Sequence, residues 1–506
     1  MDICFELAPD QTDAAEHAKL YRALAARDAR FDGVFFTGVT STGIYCRPIC
    51  AARTPRASSC RFFHTAATAE AAGFRPCLRC RPELAPYALQ QNLADAVWQR
   101  IVAGALNRAD QQSGIEQLAS AIGLSSRQLR RVVQQHFGVT PIELAQTQRL
   151  LFAKKLLQET SLPIIDIAGA AGFGSVRRFN ALFTARYRMA PTALRRSADS
   201  QHGSEDALTL RLAYRPPFAW QAMLRYLAGR AMPGLELVDA TAYHRTVRLQ
   251  QREGWLRVSA VPNRHLLQVE VAASLAGSLM PLLARLRTLF DLDANPLIIE
   301  RHLESDPLLA PILQAQSGLR VAGAFDAFEL GVRAILGQQI SVAAATTLSG
   351  RLVREFGAVT HSPFIGLTHH FPSAELLASL PVATIAKIGL PLNRAETLHA
   401  FARFVQAGGL QMRADVSLQQ ALDNLQSIRG IGAWTANYIA LRALRFPDAF
   451  PAGDLALQKA ATGKDSTSPA VKRLTEKQLL ARATGWAPWR GYAAMLLWHS
   501  PSTFPN

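Results

Sequence analysis

The sequence predicts a multidomain protein, mainly α with α+β parts, and three observations carry that prediction. All six cysteines lie within the first 80 of 506 residues, so a small thiol-based module comes first. Two segments around Gly123 and Gly172 show helical apolar spacing broken by a tight glycine turn, the pattern of a paired helix-turn-helix. Beyond the polar stretch 197–206 the pattern becomes strand-like and then helical again, as in a small α+β domain with an antiparallel sheet followed by an all-α domain. The expected parts are residues 1–88, 92–198, 206–315 and 320–506.

Composition narrows the class. The 49% apolar fraction excludes wholesale disorder, and no run of 18 apolar residues offers a membrane span. The start, MDICFELAPDQTD, is acidic and has neither the basic nor the apolar region of a signal peptide, so a cytoplasmic location without a membrane partner is expected. The net charge is +17. Residues 1–200 hold 25 basic and 16 acidic residues, and residues 201–506 hold 30 and 22, so both parts are basic. Such a spread favours a polyanion, and double-stranded DNA is the expected partner.

The elements follow in order. Residues 1–30 read as helix around Leu20 and Leu24, and 33–45 as a hairpin turning at 41–43. Cys46-x3-Cys50 is separated by 26 residues from Cys77-x2-Cys80, the spacing of a tetrahedral Cys4 zinc site. Such a site either staples a small module or activates a thiolate. Residues 33–81 hold seven arginines and a single acid, Glu70, a setting for a phosphate backbone. Cys4 and Cys60 stand outside the quartet and read as ordinary structural or incidental thiols.

The motifs TSTGIYCRPIC and AGFRPCLRCRP resemble the methylphosphotriester-repair zinc domain of Ada proteins. The resemblance implies that Cys46, Cys50, Cys77 and Cys80 bind one zinc ion, and that Cys46 is the methyl acceptor. It places Thr42 and Arg53 against the DNA backbone, and Arg47, beside the acceptor, is expected to bind DNA as well.

Next, a helix ending at Gly123 and a second beginning at Ser125 or Ser126 expose Arg127, Gln128, Arg130 and Arg131. After a connecting helix at 142–158, a second unit begins near Pro163, turns at AGFGS and exposes Arg177, Arg178 and Asn180 on a helix from Ser175 to about Tyr187. Arg and Asn suit guanine and adenine edges in a major groove, although a bundle with basic faces has the same pattern. LASAIGLSSRQLRRVVQQHFGVTP and IAGAAGFGSVRRFNALFTARYRMAP resemble the DNA-binding domain of AraC-type regulators, the order also found in Ada proteins. That resemblance implies transcriptional regulation and adds RNA polymerase as a candidate partner of a monomeric protein.

Period-2 alternation at 208–214 opens the α+β part, with a helix at 217–229 and strands at 243–250, 255–261 and 265–271. In the last part, Gly430-Ile-Gly432 fits the core of a helix-hairpin-helix, whose glycines admit a phosphate. Asp454 follows 22 residues later, after Phe450-Pro-Ala-Gly. AILGQQISVAAA, GLPLNRAETL, GIGAWTANYIALRAL and WAPWRGYAAMLLW resemble the AlkA group of 3-methyladenine DNA glycosylases. This implies hydrolytic excision of alkylated bases from DNA, with Asp454 as the catalytic carboxylate and Trp434, Tyr438 and Trp489 lining the base pocket. Gln339 falls at the position that fills the gap left by the flipped base, where an apolar side chain is the expectation. Trp434 occupies the place of the nucleophilic lysine of strand-cleaving relatives, and no cysteine after Cys80 is present to hold an iron–sulfur cluster.

The combined expectation is methyl transfer to Cys46, sequence-specific DNA binding and base excision in one chain. Two other readings stay open: a regulator whose glycosylase-like half is inactive, and a repair enzyme that the helix-turn-helix only tethers.

Overall fold

The structure, a computed structural model, describes residues 14–86, 93–107, 111–196, 206–410, 416–462 and 473–500. Cys4, most of the 197–206 linker and most of the 461–471 loop lie outside these residues. The chain forms two compact units, residues 1–215 with 276–284 and residues 216–275 with 285–506. Among the described residues no helix is long and apolar enough to cross a membrane.

The first unit begins with helix Ala14–Ala25 and a four-stranded sheet. Strand Phe36–Val39 pairs antiparallel with both Ile44–Cys46 and Cys60–Phe63, and Ile44–Cys46 pairs parallel with Arg75–Pro76. The expected hairpin turn contains Gly43 at φ +65°, a backbone region that favours glycine. Phe36, Tyr45, Phe63 and Phe74 pack as its core. The parallel register sets Tyr45 opposite Pro76, so Cys46 and Cys77 leave adjacent strands side by side, and the Cys77 N–H donates to the Tyr45 carbonyl at 3.0 Å.

The paired helix-turn-helix follows as expected. Helices Gln111–Ile122 and Ser126–Phe137 flank Gly123, and helices Ile164–Ala170 and Val176–Tyr187 flank Gly172, both glycines having positive φ. Ser125 and Gln128 cap the second helix reciprocally, and Ser175 caps the fourth. The connecting helix Pro141–Glu159 starts at a Thr140–Glu143 capping box and buries Leu144, Leu150, Leu151 and Leu156. Strand Ala207–Ala213 shows the expected alternating burial.

In the second unit, strands Glu236–Val238, Ala242–Leu249, Arg252–Ala260 and Leu266–Ala272 form an antiparallel meander. Gln250 and Gln251, both at positive φ, make the two-residue turn of its longest hairpin. Arg245 on this sheet is buried and bonds Glu329 through both carboxylate oxygens at 2.9 Å, fastening the sheet to helix Ala327–Leu336. That helix crosses Leu392–Gln406 closely at Gly331, where an added Cβ would meet the Phe401 ring at 2.2 Å. Helices Leu418–Gln426 and Ala433–Arg442 flank the Gly430–Gly432 hairpin, and Leu455–Ala460 and Arg490–Trp498 complete the surroundings of Asp454.

Candidate functional sites

The four sulfurs of Cys46, Cys50, Cys77 and Cys80 lie within 4.8 Å of one another. A tetrahedral zinc–thiolate centre places sulfurs about 3.8 Å apart, so the donor set fits zinc in both chemistry and spacing. Backbone N–H groups of Arg47 and Cys80 point at Cys80 Sγ and Cys77 Sγ at 3.4 and 3.5 Å. Cys46 and Cys80 are partly exposed, whereas Cys50 and Cys77 are buried. Cys60 is buried in a separate apolar cluster with Leu20 and Phe35.

Around this centre Thr42 and Arg53 are exposed, as a DNA-facing role requires. Arg47 differs from the expectation. It is 6% exposed, its Nε donates to Asp32 Oδ1 at 2.8 Å, its Nη2 pairs with Asp32 Oδ2, and its Nη1 donates to the Cys80 carbonyl. Its guanidinium therefore braces the cysteine loop instead of meeting phosphate. Asp32 and Lys154, which reaches the Cys77 carbonyl at 3.1 Å and Glu83 at 2.6 Å, carried no local motif that marked them.

Glu70 did carry one, as the single acid among the arginines. It is 4% exposed and accepts from Tyr45 Oη at 3.1 Å, Thr147 Oγ1 at 2.9 Å and Arg186 at 3.1 Å. Burial pushes its carboxyl up, against Arg186, Thr147 and Tyr45, to about 7. The residue beside Cys46 is thereby linked to the last turn of helix Val176–Tyr187. On that helix Arg177, Arg178 and Asn180 are exposed and Phe179 and Phe183 buried; on Ser126–Phe137 Arg127, Arg130 and Arg131 are exposed and Leu129 and Val133 buried. Each helix therefore turns its basic side to solvent.

In the second unit, Gly430 sits at φ +92°, and a Cβ there would lie 2.0 Å from Thr397 Oγ1. Gly432 has open space around it and begins helix Ala433–Arg442 without a side-chain cap, leaving the helix terminus open to an anion. Gln338 donates to the Gly430 carbonyl at 2.9 Å and to Thr435 Oγ1 at 3.0 Å. The next residue, Gln339, is exposed at φ +56°.

Asp454 caps helix Leu455–Ala460, its Oδ1 accepting from the N–H groups of Ala456 and Leu457 at 2.9 and 3.0 Å. Trp434 Nε1 donates to its Oδ2 at 2.9 Å, and Trp498 Nε1 to its Oδ1 at 3.3 Å. The Trp434 and Tyr438 rings stack at 5.2 Å and 13°, and Trp498 meets Tyr438 edge-on at 6.2 Å. The structure thus joins Asp454, Trp434 and Tyr438 as expected, but the tryptophan that completes the group is Trp498. Trp489 packs edge-on against Tyr492, whose hydroxyl donates to Asp291. The segment WAPWRGYAAMLLW contained both tryptophans, and only the facing of helix Arg490–Trp498 separates them.

Comparison with known families matches residues 19–83 to the metal binding domain of Ada, 118–197 to a helix-turn-helix domain, 209–326 to the AlkA N-terminal domain and 332–483 to the HhH-GPD superfamily of base excision DNA repair proteins. The chain is 39% identical over 484 residues, 95% of each sequence, to the probable bifunctional transcriptional activator/DNA repair enzyme AlkA of Mycobacterium tuberculosis. The chain belongs to the AlkA family of bifunctional activator/repair enzymes. Over 299 residues, 58% of this chain and 98% of the relative, it is 34% identical to DNA-3-methyladenine glycosylase 2 of Escherichia coli. The 3-methyladenine DNA glycosylase of Archaeoglobus fulgidus shares the fold over 58% of this chain and 99% of its own, with a TM-score of 0.50 and 20% identity. The four AlkA-family parts follow in the order that the motifs predicted: metal module, helix-turn-helix, small α+β domain, helix-hairpin-helix glycosylase.

Proposed function

We propose that this chain excises alkylated bases by hydrolysis at Asp454 and accepts methyl groups from DNA phosphotriesters at Cys46, using its helix-turn-helix helices to read DNA. The observation that carries the excision reading is the setting of Asp454: one carboxylate held by two indole N–H groups and two backbone N–H groups, against an aromatic stack. Electron-rich rings attract a cationic methylated base turned out of the duplex. Asp454, fixed in place by these donors, stabilises the positive charge that develops on the sugar as the glycosidic bond breaks, and orients the attacking water. Trp434, Tyr438 and Trp498 are the pocket walls in this reading. Gly430 and Gly432 bring the hairpin backbone to a phosphate, and Gln339 enters the space left by the base. Monofunctional chemistry follows from Trp434 at the position where strand-cleaving relatives have lysine.

At the cysteine site, zinc when bound keeps its four thiols deprotonated. The Cys46 sulfur attacks the methyl carbon of the phosphotriester, a sulfur–carbon bond forms, the carbon–oxygen bond breaks, and the phosphodiester leaves with the electron pair. Thr42 and Arg53 hold the backbone. Cys46, with its partial exposure at the strand end, is the nucleophile. Arg127, Arg130, Arg131, Arg177, Arg178 and Asn180 read the duplex. The parts occupy residues 1–88, 92–198, 206–315 and 320–506.

The deciding experiment is release of N3-methyladenine from alkylated DNA by purified protein, wild type against Asp454→Asn. Wild-type release abolished by the substitution supports excision; no release by wild type assigns the second unit to DNA binding alone.

A further inference from the structure

We propose that Arg442 is a positioning residue for base recognition: through the Tyr438 hydroxyl it sets the preference of the pocket for cationic over neutral bases. This rests on reading Trp434, Tyr438 and Trp498 as the pocket walls.

Arg442 lies one helical turn beyond Tyr438, and its Nη1 donates to the Tyr438 hydroxyl oxygen. It is 3% exposed. Its Nε donates to the Ala322 carbonyl at 2.6 Å and its Nη2 to the Gly323 carbonyl at 3.2 Å, which fixes the guanidinium from the opposite side. Among the described residues no carboxylate lies within ion-pair distance of it. Its charge faces phenol rings instead, with centroids at 5.2 Å for Tyr438 and 5.1 Å for Tyr226. A buried guanidinium without a counter-ion is costly, and negative charge on a neighbouring oxygen relieves that cost.

Every packed element contributes to this environment. Arg230, after helix Trp220–Ala228, sits 3.8 Å over the Tyr226 ring. Arg333, on Ala327–Leu336, is buried and bonds the hydroxyls of Ser349 and Thr346. His499, past Arg490–Trp498, stacks on Tyr226 at 5.5 Å, and burial holds its imidazole below the ordinary range. Glu236 acts electrostatically on Arg442 and Arg333, and it accepts from Tyr243 Oη at 2.5 Å. Asp454 is bonded to the two indoles that pack on Tyr438. Three cations thus surround two phenols. Burial pushes both hydroxyls up, and Arg442 and Arg230 act against it at both; at Tyr438, where Arg333 adds its charge, the cations prevail and bring the hydroxyl down to about 8, while at Tyr226 burial and the neighbouring Tyr438 keep it raised. The Arg442 hydrogen bond goes to the hydroxyl of Tyr438, the phenol that stacks on Trp434.

The consequence is selective. A neutral phenol beside a guanidinium has its electron density drawn away from the pocket and attracts a cationic base weakly. An ionised Tyr438 attracts it strongly, and a neutral base gains little. The contact between Arg442 and Tyr438 therefore controls the ratio of the two activities rather than either activity alone.

The test uses full-length zinc-loaded protein. Single-turnover release of N3-methyladenine, a fixed cation, and of hypoxanthine, a neutral base, is measured from duplex DNA across about pH 6 to 10. Tyrosinate formation is followed in parallel by ultraviolet difference absorption. In wild type the N3-methyladenine to hypoxanthine ratio rises about tenfold as one tyrosine titrates near pH 8. Arg442→Met abolishes the rise and the titration while DNA affinity is retained, and Arg442→Lys restores part of both. An unchanged rise in Arg442→Met overturns the proposal. If Arg442→Met does not fold, Tyr438→Phe decides: persistence of the titration near pH 8 overturns the proposal, and its loss supports it. Wild-type rates on both bases in Tyr438→Phe defeat the pocket reading itself, an outcome distinct from failure of Arg442→Met alone.

Discussion

The indole N–H of Trp434 donates to Asp454 Oδ2 across 2.9 Å, joining the first turn of the helix after the hairpin to the cap of the helix that follows. Trp434 has two functions in this arrangement: its ring stacks on Tyr438, and its N–H orients the carboxylate. The two separate by mutation. Asp454→Asn retains a cap but loses the charge, and base excision should fall by about 10²-fold or more. Trp434→Phe keeps a ring and removes the donor, and excision should fall by about tenfold, the scale of one hydrogen bond to a charged group. Duplex affinity should survive in both. Equal rates in wild type and Asp454→Asn would show that the catalytic carboxylate lies elsewhere.

The product of excision should be an intact abasic strand. With an indole at position 434, no amine occupies the place where a Schiff base forms in strand-cleaving relatives. Borohydride added during turnover should trap no protein–DNA adduct at this site. A trapped adduct would point to Lys459, exposed on helix Leu455–Ala460, and would overturn the monofunctional reading.

The two hairpin glycines should respond differently. Gly430→Ala forces a Cβ into Thr397 at a left-handed backbone position, a strain of about 1–3 kcal/mol. It should lower the melting temperature of the second unit as well as DNA affinity. Gly432 has an ordinary backbone and open space, so Gly432→Ala should leave melting unchanged and weaken only the approach to phosphate. Equal effects of the two substitutions on melting would contradict this division.

These features differ in how far local sequence reveals them. Glycine turns, capping pairs and apolar spacing act within a few residues, so the two helix-turn-helix units and the hairpin were legible. The quartet of thiols was legible because each pair has the close spacing of metal ligands, although 26 residues separate the two pairs. The partner of Arg47 was not: Asp32 lies 15 residues upstream and reaches it only through the fold of the sheet. An arginine count records charge but not whether that charge faces inward. The choice between Trp489 and Trp498 depended on which side of helix Arg490–Trp498 meets Asp454, and both ends of that helix offer an indole.

Glu70 gives the first unit a pH dependence of known sign. Its carboxyl is raised from the ordinary 4.5 to about 7 by burial. At low pH it is protonated in both folded and unfolded chains and has no effect. Between about 4.5 and 7 the unfolded chain releases a proton that the folded chain retains, so stability falls as pH rises, by roughly 3 kcal/mol in total. Glu70→Gln, which keeps an acceptor for Tyr45 and Thr147, should remove that slope. Urea unfolding at pH 5 and pH 8, read by thiol exposure, checks it. Zinc ligation has its own pH dependence, common to both proteins, so the difference between them isolates Glu70. The same slope in both would sink the idea.

Cys46 is partly exposed at the end of strand Ile44–Cys46, which distinguishes it from buried Cys50 and Cys77. After incubation with methylated DNA, mass spectrometry should find one added methyl on the peptide holding Cys46, and none in Cys46→Ala. A methyl on Cys50 alone would contradict the assignment. Transfer turns a thiolate into a neutral thioether and lowers the charge of a four-thiolate zinc centre from about −2 to about −1. With Arg47 paired to Asp32, the guanidinium beside the acceptor does not screen this change from a DNA phosphate. Relief of one like-charge contact at 4–6 Å is worth roughly 1–4 kcal/mol at interface-like dielectric, so methylated protein should bind its DNA site about tenfold more tightly or better. Asp32→Asn, which frees Arg47 to turn outward, should shrink that gain. Equal affinity of methylated and unmethylated protein at matched salt would remove the charge mechanism and leave Cys46 as a repair residue without a switching role.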